Sequence, residues 1–378
     1  MGQVGESSVT ERVAGPEASI KLVWVDRKGD GVAGVVLVTG VSRYLGGLVA
    51  RRLSTMPGID KVVGVDVIPP SHDIGAADFV RADIRNPMIG RVIEQNGVDT
   101  VVHMNVIATP TFAGGRTPQK EINVIGTMQL LAACQKARSV RRLVVKSSAA
   151  VYGSTPRDPA MFTEEMSAKR LPQAGFGKDS IEVEGYVRGF ARRRPDTEII
   201  TLRFANIIGP RIRTSMTDYF SLPVIPVPLG YDARMQFVHE DDATEALLLA
   251  VTGTHTGVVN VAGDGVITVM QAAAMLRRPL VVVPMSASGL LGNLTRRLGM
   301  ADFSPDQMSF LAFGRGLDTT VMRERFGFEP RYTTRAAFED FSHTVRPVLP
   351  GARALVGAVG AVARGAAVVA HGIPGGAG

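Results

Sequence analysis

The sequence is poor in cysteine, and its first residues lack an apolar run. Cys134 is the only cysteine in 378 residues, which excludes an internal disulfide and a zinc site built from several thiolates. A single thiol fits a reducing compartment, and we expect a cytoplasmic protein. Residues 1–19 lack the basic start and apolar core of a secretory signal. We predict that residues 1–33 form a disordered leader.

The C-terminal segment lacks the long hydrophobic run that a membrane span requires. Residues 346–378 are rich in Ala, Gly and Val, but Arg353 and Arg364 divide them into runs shorter than the roughly 20 residues of a transmembrane helix. On a helical wheel these arginines lie opposite Leu355 and Val362. We interpret the segment as a frayed tail and leave open a weak contact with a membrane surface.

Basic residues are in excess, yet they form no concentrated patch. The chain has 42 Lys and Arg against 35 Asp and Glu, a formal charge of +7, and the cations are spread along the sequence. This distribution argues against nucleic-acid binding. His239 and Asp242 have no companion at a metal-ligand spacing, so we expect them to hold their own turn and expect no metal site.

The hydrophobic pattern indicates a parallel sheet with helical crossovers. Short β-branched runs alternate with longer helical stretches, at 35–38, 61–65, 100–103, 143–146 and 198–202. The pattern predicts an α/β protein whose Rossmann-type, doubly wound parallel sheet occupies residues 34–208. Proline-punctuated segments follow, and we expect a smaller, mainly substrate-binding region at 209–345, interleaved with the Rossmann domain.

A glycine-rich segment, TGVSRYLGG at 39–47, lies between the first strand and a helix that we expect to begin near Leu48. Glycines at 40 and 46 allow backbone N–H groups and the positive end of the helix to face a pyrophosphate. Asp66 ends the second strand, where a carboxylate accepts hydrogen bonds from ribose hydroxyls and repels a 2′-phosphate. The combination predicts a site for NAD rather than NADP.

With these motifs the chain resembles the extended short-chain dehydrogenases/reductases, in particular the NAD-dependent epimerase/dehydratase family that includes UDP-glucose 4-epimerase. The resemblance covers roughly residues 34 to 342. It implies a set of cofactor-binding residues, namely Thr39, Gly40, Arg43, Gly46, Asp66, Asp83 and Ile84. Arg43 replaces the middle glycine of the family's turn, so its side chain either clashes with the cofactor or pairs with the pyrophosphate. It also resembles the arginine of some NADP-binding turns, which keeps NADP as the second choice.

The resemblance also assigns a catalytic serine and exposes a departure next to it. The segment SSAAVYG at 147–153 is similar to the family's catalytic-serine segment and gives that role to Ser148. The family then carries Tyr-x-x-x-Lys on one helix face, where the ammonium lowers a phenol pKa of about 10 and lets tyrosine take the substrate proton. Here the matching segment, FGKDS, has Phe176 and Ser180 at those positions, and no tyrosine in the chain has a lysine four residues later.

Two further segments resemble the substrate side of the family. LRFANIIGP at 202–210 implies that Asn206 contacts a nucleotide diphosphate, and RMQFVHEDD at 234–242 implies that Arg234 holds a substrate phosphate. We therefore expect a nucleotide-diphosphate sugar as the ligand. A homodimer is left open.

Three functions remain open because the usual acid–base pair is missing. Our interpretation is a protein that binds NAD and a nucleotide sugar with weak or no catalysis, as a sensor or scaffold. The alternative is an active epimerase or dehydrogenase with substitute groups such as Lys178 or Asp179. A membrane-surface adaptor that depends on the tail is the third. Loss of a positioned acid–base group costs a factor of about 10² to 10⁴ in rate.

Overall fold

The strands of the computed structural model, which describes residues 34–108, 113–172, 175–284 and 305–346, include every strand that the sequence predicted. In chain order they are β1 (Val35–Thr39), β2 (Lys61–Asp66), β3 (Asp78–Arg81), β4 (Thr100–His103), β5 (Arg142–Ser148), β6 (Glu198–Phe204), β7 (Asn206–Ile208), β8 (Ile225–Pro228), β9 (Arg234–Met235), β10 (Phe237–His239), β11 (Gly257–Val261), β12 (Ile267–Thr268) and β13 (Leu280–Val283). The predicted leader, and the predicted tail beyond residue 346, lie outside the described residues.

Seven of these strands pair in parallel to form the central sheet, in the order β11-β6-β5-β4-β1-β2-β3. The chain leaves β1 for β2 on one side and later returns to β4 on the other side of β1. The carboxyl ends of β1 and β4 therefore bound a crevice, which is where ligands bind in open α/β sheets. The order confirms the predicted Rossmann-type α/β fold.

The helices are α1 (Tyr44–Leu53), α2 (Ile89–Gln95), α3 (Arg116–Lys120), α4 (Thr127–Lys136), α5 (Gly175–Arg193), α6 (Ser215–Phe220), α7 (Glu240–Thr252), α8 (Val269–Met275), α9 (Pro305–Phe313), α10 (Thr320–Glu324) and α11 (Thr334–Ser342). A π-helical segment, Glu121–Gly126, joins α3 to α4, and a 3-10 turn, Ala149–Tyr152, follows β5. Within the described residues, none of the helices has the length and apolar character needed to cross a bilayer.

Helices cover both faces of the sheet, which explains its nearly continuous apolar strands. On one face α1 and α7 pack over a cluster that includes Val38 and Leu202, and on the other face α4 and α5 pack over Leu37 and Val145. A separate core around Phe220 and other aromatic residues holds α6, β8, α9 and α11 together. Although α7 and β11 come after residue 209, they belong to the sheet layer.

The glycine-rich segment differs from the prediction at its helical end. Helix α1 begins at Tyr44 and not near Leu48, so Gly46 lies in its first turn. Glycine disfavours a helix interior, which is why the sequence suggested a longer turn. At this position, however, a Cβ atom would overlap the carbonyl oxygen of Gly40. The close approach of the helix to the turn requires glycine and overrides its low helix propensity.

Candidate nucleotide-binding cleft

A cleft of about 1390 Å³ opens at the carboxyl ends of the central strands. Its walls include the turn after β1, the ends of β2, β5 and β6, the start of α5 and part of α9. Ten arginine or lysine side chains line it, against three aspartates. This excess of positive charge at the crevice favours an anionic ligand.

The turn after β1 forms the end of the cleft nearest α1. Gly40 has a φ of +78°, the left-handed conformation that glycine adopts without strain, and its N–H donates to the Val65 carbonyl at 2.8 Å. Helix α1 begins four residues after Gly40, so its N-terminal end adjoins the cleft. Thr39 is fully buried below this turn, where its Oγ1 accepts from the Met104 N–H at 3.0 Å. It positions the turn and does not line the cleft.

Asp66 lines the cleft at the end of β2 with a fixed carboxylate. Its two oxygens accept from the backbone N–H groups of Ser42 at 3.1 Å and Val67 at 2.8 Å. Two amides hold the carboxylate without neutralising its charge, so it can still accept from hydroxyl groups. The arrangement fits the predicted contact with a ribose.

Asp83 and Ile84, two of the predicted cofactor-binding residues, occupy different environments. Asp83 lines the cleft, and its hydrogen bonds with Arg85, the shortest at 2.7 Å, lower the pKa of its carboxyl. Ile84 is buried in the core, where its Cδ1 would lie 2.7 Å from a Cβ added at Gly126. Its side chain does not line the cleft.

Arg43 extends into the cleft next to the glycine turn. It precedes the first turn of α1, and its half-buried side chain lies among the lining residues. Burial lowers the pKa of its guanidinium, and the charge of Asp66 opposes that change. The side chain therefore places a cation beside the glycine turn.

The opposite end of the cleft contains Ser148 and Phe176. Ser148 Oγ accepts from the Ala150 N–H at 3.1 Å, and Phe176 lines the wall where α5 begins. Ser180 is fully buried, and its hydroxyl donates to the Phe176 carbonyl at 2.9 Å. At these two helix positions the cleft has neither a phenol nor an ammonium.

Neither substitute group suggested by the sequence faces this cleft. The buried carboxylate of Asp179 accepts from both terminal nitrogens of Arg116, at 2.5 and 2.6 Å, and from Asn123 Nδ2 at 3.2 Å. Lys178 is exposed and is absent from the cleft lining. Asp179 is therefore a structural ion-pair partner, and Lys178 belongs to the outer surface of α5.

Sequence reasoning missed Lys146, a lining residue at the end of β5. Its Nζ donates to the Val106 carbonyl at 3.1 Å. Burial, together with the charge of Arg43, lowers the pKa of this lysine to about 8. The sequence did contain a signal for Lys146, because this lysine interrupts an otherwise apolar strand. It precedes Ser148 by two residues, so the two side chains project from the same face of the strand.

On the substrate side, the structure separates the two predicted residues. Asn206 lines the main cleft, whereas Arg234 is exposed and lines an adjoining smaller cavity, because Met235 takes the inward position of β9. Arg315, which sequence reasoning missed, lines both cavities and donates to the Gly153 carbonyl at 2.8 Å. Burial lowers the pKa of Arg315 to about 10, so this guanidinium would gain from an anionic partner.

We predicted that His239 and Asp242 hold their own turn. His239 does so through Asp241, whereas Asp242 joins the turn to distant residues. His239 accepts from the Asp241 N–H at 3.1 Å and contacts the Asp340 carboxylate at 3.0 Å. Asp242 accepts from the backbone N–H groups of residues 331 and 332. Over the part of the chain that the structure describes, no group of three or more His, Cys, Asp or Glu side chains could hold a metal ion.

Solved structures share this fold at low sequence identity. MoeE5 in complex with UDP-glucuronic acid and NAD is 22% identical, with a TM-score of 0.64, over 84% of this chain and 100% of the other. The UDP-glucose 4-epimerase of Thermotoga maritima, solved with UDP-glucose, is 21% identical with a TM-score of 0.62, over 82% of this chain and 98% of that one.

Sequence comparison gives nearer relatives and the family. An uncharacterised protein of Mycobacterium tuberculosis (strain ATCC 25618 / H37Rv) is 46% identical over 311 residues, which are 81% of this chain and 83% of the relative. The profile of the NAD dependent epimerase/dehydratase family matches residues 36–262. This chain belongs to the NAD-dependent epimerase/dehydratase family.

Proposed function

We propose that this protein binds NAD and a nucleotide-diphosphate sugar in the cleft, and that it lacks the Tyr-x-x-x-Lys route of proton transfer. The observation that carries the proposal is the cofactor end of the cleft. There Gly40 has the left-handed backbone conformation of a tight turn, Gly46 lets the first turn of α1 approach the Gly40 carbonyl, and Asp66 presents a fixed carboxylate. Solved structures of the same fold hold NAD together with UDP-glucose or UDP-glucuronic acid, which supports both ligands.

The charges along the cleft support the assignment of its two ends. Asp66 disfavours a 2′-phosphate, which favours NAD over NADP, while Arg43 supplies a cation for the pyrophosphate. Asn206 and Arg315 are the polar groups suited to the diphosphate of the second ligand. Bound NAD would supply a hydride acceptor. Phe176 and Ser180 supply no proton transfer, so turnover by the family's usual route is slower by a factor of about 10² to 10⁴.

Titration calorimetry tests the proposal with NAD, NADP, UDP-glucose, UDP-galactose and UDP-glucuronic acid. We expect NAD to bind more tightly than NADP, and at least one nucleotide sugar to bind more tightly once NAD is present. The Gly90→Ala variant should bind these ligands as the wild type does, because an added Cβ meets only Ala133 at 3.7 Å and leaves the cleft unchanged. Absence of binding by both dinucleotides, or tighter binding of NADP, would contradict the proposal.

A further inference from the structure

We infer that Lys146 is the proton-transfer residue of this cleft and replaces the tyrosine that α5 lacks. The inference rests on the proposed function, because it assigns chemistry to the same two ligands. Lys146 and Ser148 are two residues apart on β5, so both side chains leave the same face of the strand at its carboxyl end. Both line the cleft. The amine of Lys146 therefore lies on the same wall of the cleft as the Ser148 hydroxyl, which we assign to substrate binding.

The surroundings of Lys146 favour loss of its proton. Among the described residues the ammonium donates to one carbonyl, that of Val106, and forms no ion pair with a carboxylate. The charged and titratable groups nearest to it are Arg43, from the start of α1, and His103, from β4. Burial, and to a lesser extent Lys146, lowers the pKa of His103 to about 3, so the imidazole is neutral. Burial and Arg43 together lower the pKa of Lys146 to about 8.

The reaction balances with a neutral amine in this position. Oxidation of a sugar hydroxyl breaks one C–H and one O–H bond, and bound NAD supplies the acceptor for the hydride. The remaining proton passes from the hydroxyl to the Lys146 amine, while Ser148 hydrogen-bonds the sugar oxygen. The sugar becomes a ketone and the amine becomes an ammonium. Return of the proton during ketone reduction regenerates the amine.

Asp306 is the rival proton acceptor in the cleft. Its Oδ2 is buried without a hydrogen-bond partner in the described part of the chain, and burial raises the pKa of this carboxyl. It lies beside Gly175, however, on the wall formed by α9, where Arg315 and Arg116 favour its charged form. We favour Lys146 because it is on the strand that carries Ser148.

Variants separate these groups by their effect on NAD reduction with UDP-glucose, UDP-galactose or UDP-glucuronic acid. Lys146→Met should lower the rate about 10²- to 10⁴-fold, while NAD and sugar-nucleotide affinities change by less than about threefold. Lys146→Arg keeps the charge but cannot release its proton near neutral pH, so the loss should be as large. The wild-type rate of sugar oxidation should rise with pH to a plateau, with a midpoint near 8. Lys178→Met is the matched control on the outer surface and should leave the rate unchanged.

A second readout needs no turnover. Lysine amines are labelled with an acylating reagent across a pH series, and the modified sites are quantified by mass spectrometry. Lys146 should react with a midpoint near 8 and be protected by NAD with the sugar nucleotide, whereas the ligands should not protect Lys178 on the outer surface of α5. Ordinary titration of Lys146, full activity of Lys146→Met, or a loss confined to Asp306→Asn would each overturn the inference. The proposed function is tested separately by the binding titrations, and it would fall if neither dinucleotide bound or if NADP bound more tightly than NAD.

Discussion

The two ends of the cleft depend on different kinds of structural information. At the cofactor end, glycines and backbone N–H groups shape the site, and Asp66 is held by two of those amides. At the opposite end, the proposed chemistry depends on a few side chains, and Phe176 and Ser180 stand where the resemblance predicts tyrosine and lysine. A change in backbone geometry would disturb the packing of α1 on the turn, whereas a side-chain change at α5 alters the chemical groups without moving that turn. The comparison predicts that substitutions can change ligand binding and proton transfer separately.

The sharpest way to test that separation is to rebuild proton transfer without changing the cofactor end. In a Lys146→Met background, Phe176→Tyr with Ser180→Lys should raise NAD reduction by a factor of about 10² to 10⁴, roughly 3 to 5 kcal/mol of barrier. The new ammonium would lie one helical turn from the new phenol and lower its pKa. Stopped-flow measurement of NADH formation with a bound sugar nucleotide reports the gain.

Single substitutions in the same background provide the control. A phenol without its cation stays protonated, and a lysine without the phenol has no route for the proton, so each change alone should do little. Ser180 is fully buried, so circular dichroism and NAD affinity must first show that the lysine is accommodated. A folded triple variant that binds both ligands without any gain would show that Phe176 does not lie at the position of the family's tyrosine.

The cofactor end should be broken most strongly by Gly46→Val. The new side chain would overlap the Gly40 carbonyl, so α1 must move away from the turn. We expect loss of detectable NAD binding and destabilisation of about 2 to 4 kcal/mol. Urea unfolding and calorimetry measure the two effects. Gly90→Ala, in α2, should retain NAD affinity and wild-type stability, and comparable damage at both sites would contradict this account.

The sequence predicted more of the fold than of the candidate site. Strands buried on both faces leave continuous apolar runs, and the glycine-rich segment indicates a turn after β1, so local pattern was sufficient for the strands and for that turn. The start of α1 was wrong because the contact between Gly46 and Gly40 is a tertiary effect that helix propensity does not contain. The roles of Lys146 and Arg315 escaped prediction because each depends on elements distant in sequence, β4 and α1 for the lysine and residues 153–154 for the arginine.

Lys146 should also be recognisable by its effect on stability. Its pKa of about 8 in the folded protein lies below the ordinary value of about 10.4, so folding disfavours the ammonium. The resulting loss in the free energy of unfolding is complete below pH 8. It disappears as the pH rises to about 10.4, because the unfolded chain binds more protons than the folded chain in that interval. Lys146→Met should therefore stabilise the protein by about 2 to 3 kcal/mol at pH 7, and by much less near pH 10.

Urea unfolding at both pH values measures this difference, and Lys178→Met provides the surface control with an expected change within about 0.5 kcal/mol. A residue that reduces stability at its working pH is typical of a functional site. An equal effect of Lys146→Met at both pH values would show that the pKa of the amine is not lowered in the folded protein. Lys146 would then not be suited to replace the missing tyrosine at the end of the cleft that contains Ser148.

The smallest expected effect concerns the choice between dinucleotides. Asp66→Asn keeps one acceptor oxygen for the Ser42 and Val67 amides, puts an NH₂ donor in place of the other oxygen, and removes the negative charge at the end of β2. Repulsion of a 2′-phosphate should fall, so the ratio of NADP to NAD affinity should rise about tenfold, or roughly 1.4 kcal/mol. Calorimetry at low and high salt measures the ratio, and screening should reduce the difference between wild type and variant at high salt. Asp66→Ala removes the amide contacts as well and should weaken both dinucleotides. A different outcome would be an unchanged ratio of NADP to NAD affinity in Asp66→Asn, with both ligands weakened equally in Asp66→Ala. Asp66 would then support the turn without selecting the cofactor. The cofactor end would in that case depend on backbone geometry alone.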